Sequence, residues 1–175
     1  MSFADALELT AGVEGWLTEA QARTLWDAAA RVGAGGTIVE IGSFHGRSTI
    51  VLALAAGERG RVVAIDPHGG GDRGPQQISP DRARGDLDHA VFRANLERAG
   101  VAARVTHVRA RSADALDEVR GELDLLYVDG AHRYRPARAD IERWGARVRP
   151  GGSMLIHDSF SAIGVRSSGL VSSAW

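Results

Sequence analysis

The chain of 175 residues contains no cysteine and no lysine. Without cysteine there are no disulfides, no thiolate nucleophile and no cysteine-ligated zinc or iron–sulfur site. Without lysine there is no Schiff-base chemistry and no phosphate loop of the G-x-x-x-x-G-K-[ST] kind. No apolar run reaches the ~20 residues that cross a bilayer, and no basic stretch leads into an apolar one at the N-terminus. A cytoplasmic address is therefore the expectation. An excess of charge is missing too: 21 basic against 22 acidic side chains leave a net charge of −1. That balance does not suit a protein that coats nucleic acid or an anionic membrane. What remains is an ordinary globular composition, 44% apolar and 25% charged, of a length suited to one domain over residues 1–175.

Short apolar runs alternate with helical patterns, and no internal repeat interrupts them. Residues 37–41, 61–65, 104–108, 123–128 and 153–157 are β-branched and apolar, and Gly, Pro or Asp bounds them, as in strands covered on both faces. Helices are predicted between them. An N-terminal helical segment lies within 1–35, where 18–32 opens on Thr18 with Gln21 three residues later. Residues 46–57 are apolar almost all round. Residues 86–99 place Leu87, Val91 and Ala94 on one face. A short helix near 113–120 and a longer one at 135–148 follow, the latter stopped by Arg149-Pro150-Gly151-Gly152. This order predicts an α/β fold, a doubly wound parallel sheet with right-handed crossovers. Residues 67–85 form a long Gly/Pro-rich loop of the kind that serves as a lid, and 159–175 a short Ser/Gly-rich tail.

In such sheets ligands bind beyond the carboxyl ends of the strands, where the strand order reverses. The polar residues gather there. After the first strand comes Glu40-Ile41-Gly42-Ser43-Phe44-His45-Gly46-Arg47-Ser48, whose glycines permit close backbone approach to a ligand at a helix N-terminus. Glu40 ends a buried strand, where a carboxylate needs a donor such as a ligand ammonium group. The dinucleotide fingerprint G-x-G-x-x-G is absent, because position 44 is Phe. Asp66 ends the second strand, 20 residues after Gly46, the place of an acid that accepts from ribose hydroxyls. An amine and a ribose without a required phosphate describe S-adenosylmethionine. Asp129 and Asp158, with His157, end the fourth and fifth strands, close enough in a parallel sheet to share Mg²⁺ or a similar divalent ion. His132 follows Asp129 by three residues and suits a general base near neutral pH. His45 and His68 also stand at strand ends, whereas His89 and His107 read as structural. Trp16, Trp26 and Trp144 sit where helix packing explains them.

Taken together, Glu40-x-Gly42-x-x-x-Gly46-x-Ser48, Ile65-Asp66-Pro67, Tyr127-Val128-Asp129-Gly130-Ala131-His132-x-Tyr134, Asp140-Ile141-x-x-Trp144, Pro150-Gly151-Gly152 and His157-Asp158-Ser159 resemble the class I S-adenosylmethionine-dependent methyltransferases. The likeness is to the subgroup of metal-dependent O-methyltransferases of natural products and sugars, with cephalosporin-hydroxylase-like proteins as neighbours. It implies that Glu40, Gly42, Ser43 and Phe44, with Gly46 and Ser48 of the same turn, hold the methionine part of the cofactor. By the same likeness Asp66 holds the ribose, Ser112 and Ala113 border the adenine, and Asp129 and Asp158 bind the metal. His157 stands where some members carry an acid, and Asp129 also borders the cofactor. His132 and Asp129 are the implied catalytic residues. The implied partner is a small-molecule hydroxyl acceptor, with a homodimer possible and neither nucleic acid nor membrane involved. The family fold continues into a further helix and an antiparallel strand pair, which this sequence is expected to lack. Two alternatives stand beside methyl transfer: an inactive cofactor-binding domain completed by a partner chain, and a nicotinamide-dependent oxidoreductase.

Overall fold

The computed structural model describes residues 1–71, 79–130 and 134–157. Its sheet has five parallel strands, β1 (Thr37–Ile41), β2 (Arg61–Ile65), β3 (Val105–Val108), β4 (Leu123–Val128) and β5 (Val148–Ile156), in the order β3-β2-β1-β4-β5. Five helices accompany it: α1 (Phe3–Thr10), α2 (Glu19–Ala30), α3 (Arg47–Ala56), α4 (Arg82–Arg98) and α5 (Tyr134–Gly145). This is the doubly wound sheet that the strand and helix periodicities predict. The chain reaches β2 on one side of β1 and β4 on the other, so the strand order reverses between β1 and β4. In register, Ile41 lies beside Ile65 and Val128, which brings the carboxyl ends of three strands level.

All five residues of β1 are buried, and their alternation divides the core. Ile38 faces a layer with Leu25, Ile50, Leu52, Phe92 and Tyr127. Val39 and Ile41 face the opposite layer, with Val63, Ile65, Leu126, Val128 and the fully buried Trp144. Burying each such side chain contributes about 1.5–3 kcal/mol. Glu40, two residues from Ile38, points to the first layer and meets α3. The predicted start of α2 holds: Gln21 N donates to Thr18 Oγ1 at 3.3 Å, and Thr18 N donates to Gln21 Oε1 at 2.8 Å.

Several elements depart from expectation. The buried residues of α4 are Gly85, Asp88, Phe92, Asn95 and Leu96, while Leu87 and Val91 are 68% and 39% exposed. The residues expected at 113–120 make two 3₁₀ turns, Ser112–Asp114 and Leu116–Glu118, because Ala115 between them leaves helical geometry. β5 begins at Val148 and runs through Arg149-Pro150-Gly151-Gly152. There a register shift opposite Leu123/Leu125 and a left-handed Gly151 absorb a proline that lacks an N–H.

Candidate functional site

The turn after β1 is built on two left-handed glycines. Gly42 has φ +85°, and a Cβ there would stand 2.2 Å from the Asp129 carbonyl oxygen. Gly46, which caps α3 at φ +88°, lies against the Phe92 ring, 3.1 Å from where a Cβ would be. Both glycines therefore make room for the protein itself rather than for a ligand. Asp66 then gathers the turn: its Oδ2 accepts from Ser43 N at 3.0 Å and Phe44 N at 2.9 Å, and its Oδ1 from His68 N at 2.7 Å. Phe44 and His68 both adopt φ +44°, a left-handed conformation costing non-glycine residues about 1–2 kcal/mol each. They hold one another: His68 Nε2–H donates to the Phe44 carbonyl at 2.8 Å. Behind the turn, His45 stacks on Phe44 with ring centroids 3.7 Å apart and meets Asp88 Oδ1 through Nε2 at 3.0 Å. Asn95 Nδ2 donates to the His45 carbonyl at 2.9 Å. The two buried polar residues of α4 thus position this turn.

A cavity of about 1120 Å³ opens over the β1/β4 reversal. Of the residues singled out from the sequence, Gly42, Ser43, Phe44, Ser48, Asp66, Ser112, Ala113, Asp129 and His157 border it. His68 borders it too, while His45 lies behind Phe44. Two expected members do not line it. Gly46 faces α4, and Glu40 is fully buried behind the turn, where Thr49 Oγ1 and Ser48 donate to it. Desolvation pushes its carboxyl from 4.5 up to about 8 against those two hydrogen bonds. Burial thus favours the protonated form of Glu40, and the ammonium group expected to meet it does not reach it directly from the cavity. Its link to the cavity runs through the Ser48 hydroxyl. His132 and Asp158 lie outside the described residues.

At the carboxyl ends of β4 and β5, Tyr127 Oη donates to Asp129 Oδ2 at 3.2 Å, and His157 Nδ1 stands 3.1 Å from Asp129 Oδ1. His157 Nε2–H donates to the Trp16 carbonyl at 3.2 Å. The Trp16 carbonyl thus fixes Nε2 as the donor and orients the ring with Nδ1 toward Asp129. Among the described residues no group of three His, Asp or Glu could hold a metal ion.

Sequence reasoning missed several cavity residues. Trp16 is 66% exposed on the rim, 5.6 Å from the Phe44 ring centroid, and does not pack as a helix residue. Its position between two helices, beside Gly15 at φ +154°, was the available signal. Arg47 borders the cavity with Nη1 on the Gly15 carbonyl at 3.1 Å. Asp140 reaches it from α5, its Oδ1 accepting from the Ser112 hydroxyl at 2.5 Å. Burial raises the Asp140 carboxyl, opposed by Ser112 and Arg143. His89 and His107 pack with His68 and Phe92, as structural residues would, and burial pushes His107 down to about 4.

The chain resembles known proteins along most of its length. Residues 39–159 match a family described as a methyltransferase domain. Catechol O-methyltransferase of Mycobacterium tuberculosis is 32% identical over 123 residues, covering 70% of this chain and 47% of the relative. A cofactor-bound protein from MTB is 30% identical with a TM-score of 0.63, over 87% of this chain and 63% of that one. The O-methyltransferase TomG from Streptomyces achromogenes, solved in complex with SAM, is 25% identical with a TM-score of 0.60, over 88% and 62%. The chain spans about half the length of the catechol O-methyltransferases it matches.

Proposed function

Because the chain belongs to the methyltransferase-domain family, we propose that it transfers a methyl group from S-adenosylmethionine to a hydroxyl of a small acceptor. The observation that carries this reading is the cavity over the β1/β4 reversal, bordered at once by Ser43, Asp66, Ser112 and Asp129. S-adenosylmethionine suits the residues present. The buried Ser43 Oγ has no hydrogen-bond partner among the described residues and borders the cavity. Asp66 Oδ2 already takes two backbone N–H groups, but Oδ1 takes only one, leaving a lone pair for a ribose hydroxyl. Arg47 keeps guanidinium N–H groups beyond the one on Gly15 for a carboxylate. Ser43 and Arg47 would then hold the amino-acid end, Asp66 the ribose, and Ser112 and Ala113 the base.

When bound, the cofactor supplies an already activated methyl group. What the protein contributes is alignment, on the order of 7–11 kcal/mol in well-oriented systems, and removal of the acceptor proton. Asp129, held by Tyr127 and beside His157, is the acid at the acceptor end of this reading, and His132 is the base, three residues further on. The rim favours a planar acceptor: Trp16 and Phe44 offer ring faces, and such rings bind flat aromatic groups by offset stacking. A small aromatic hydroxyl compound is therefore the acceptor class we favour, in keeping with the catechol O-methyltransferases among the relatives. A metal role for Asp129, His157 and Asp158 belongs to the same proposal, and turnover with Mg²⁺ against EDTA tests it.

Calorimetric titration of S-adenosylmethionine, followed by product analysis with catechol and aliphatic alcohols, tests the reading. Binding is expected, with methylated product from the aromatic acceptor; Ser43→Ala is expected to weaken binding by roughly three- to tenfold, as loss of one hydrogen bond does. Asp129→Asn is expected to remove turnover while binding persists. Binding without product from any acceptor would favour the inactive cofactor-binding alternative. Binding of a nicotinamide dinucleotide instead would favour the oxidoreductase.

A further inference from the structure

We propose that Asp140 reads the adenine of the cofactor, its Oδ2 accepting a hydrogen bond from the exocyclic amino group of the ring. The proposal deepens the cofactor reading above and rests on it.

Asp140 projects from the second turn of α5 into the end of the cavity where Ser112 and Ala113 stand. Only 6% of it is exposed, so its carboxylate sees protein on most sides and the cavity on the remaining one. Its two oxygens are not equivalent. Oδ1 accepts from the Ser112 hydroxyl; Ser112 is itself fixed, because Trp144 Nε1–H donates to its carbonyl at 3.2 Å. The Ser112 hydroxyl hydrogen is thereby committed to Asp140 and no longer offered to a ligand. Oδ2 has no hydrogen-bond partner among the described residues; what lies within 4 Å of a Cβ placed on Gly130 includes this oxygen, at 3.8 Å. Arg111, the cation nearest in sequence to Ser112, is taken up by Asp114 at 2.7 Å.

Oδ2 faces the cavity with lone pairs open to a donor on a bound molecule. The flanking side chains at this end, Ile65, Ala113, Pro136 and Ala139, are apolar and border the same cavity, which suits the faces of a planar ring and leaves recognition to its edge. An acceptor at that edge selects a ring bearing an N–H group and rejects one bearing a carbonyl or nothing. Of the parts of S-adenosylmethionine, the adenine alone is planar and carries such a group on its edge. Ser112, which the sequence singled out for the base, is in this arrangement a positioning residue that aims Asp140.

The test is a binding cycle with S-adenosylhomocysteine and its analogue carrying hydrogen in place of the adenine amino group, titrated by calorimetry into the 175-residue chain. The native chain is expected to prefer the amino compound by roughly tenfold or more, the discrimination that one buried hydrogen bond to a charged group supplies. Asp140→Ala is expected to bring the ratio to about one, by weakening the amino compound while sparing the analogue, and Asp140→Asn, which keeps only a neutral acceptor, to lower it. Two variants guard against one that fails to fold, and a native-like melting curve qualifies each. A ratio that stays at the native value in a folded variant, or an equal loss for both compounds, would overturn the proposal, since a merely structural Asp140 moves both alike. Failure of the native chain to bind either compound would overturn the cofactor reading itself, an outcome distinct from native binding without discrimination.

Discussion

A carboxyl group sealed beside a sheet, as Glu40 is, makes stability depend on pH. Its folded value of about 8 lies above its ordinary 4.5. Between those values the folded chain holds a proton that the unfolded chain has released. Stability therefore falls as pH rises from about 4.5 toward 8, and this contribution is constant below that window. Glu40→Gln keeps an acceptor for Thr49 and removes the ionisation. Melting curves across the window are expected to show a smaller pH dependence in Glu40→Gln than in the native chain, and a higher melting temperature near pH 8. Equal slopes would refute the assignment. At this scale the sequence was readable where a residue's role is local. Asp66 at a strand end, Ser43 in the turn and Asp129 beside Gly130 all border the cavity as expected. Glu40 lies behind the turn because strand alternation, which sends it toward Thr49 on α3, decides its surroundings more than its distance from the turn. The pairing of Asp140 with Ser112 joins positions 28 residues apart and has no local signal.

Among the elements, the tight turn from β1 into α3 is the least tolerant of change. Gly42→Ala would place a methyl group 2.2 Å from the Asp129 carbonyl and impose a left-handed φ of +85° on alanine. A loss of about 3 kcal/mol or more is expected, since backbone cannot move aside as a flexible side chain would. Gly121→Ala makes the comparison: its φ is +82° but no atom lies within 4 Å of the added Cβ, so only about 1–2 kcal/mol of conformational strain is expected. Denaturant unfolding of both variants measures the difference, and equal losses would mean that the close approach to Asp129 does not matter. The strands were the most legible elements: β1, β2 and β4 run as predicted, because β-branched runs flanked by turn residues leave few alternatives. The helix α4 was legible in extent but not in face. Its apolar residues Leu87 and Val91 point outward, while Asp88 and Asn95 turn inward to hold His45 and the Phe92 ring packs against Gly46. A polar residue buried to anchor a distant turn defeats any reading based on hydrophobic periodicity. β5 was half legible, since its passage through Pro150 depends on an irregular pairing with β4.

For the molecule as a whole, exposed local ion pairs contribute little to cohesion. The ion pairs Arg23–Asp27, Arg93–Glu97, Arg111–Asp114 and Arg138–Glu142 lie three or four residues apart on exposed surface, where each contributes a few tenths of a kcal/mol. Urea unfolding midpoints are expected to change little between about 0.05 and 0.5 M sodium chloride, a range over which screening of exposed pairs becomes nearly complete. A steep fall would assign these pairs a larger share of stability than their exposure allows. The two apolar layers flanking β1 carry the molecule instead, and the periodicity that builds them is why the α/β class was evident from the sequence. One contact spans nearly the whole of that architecture. The Trp16 carbonyl and the His157 ring meet across 141 residues of chain, the first on the loop before α2 and the second just beyond β5. Closing a contact of such long sequence separation costs loop entropy, and local pairings that shorten the distance reduce that cost. The rim of the cavity is consequently expected to assemble after the sheet, so that a molecule bound there slows unfolding without speeding refolding, which stopped-flow kinetics with and without S-adenosylmethionine checks.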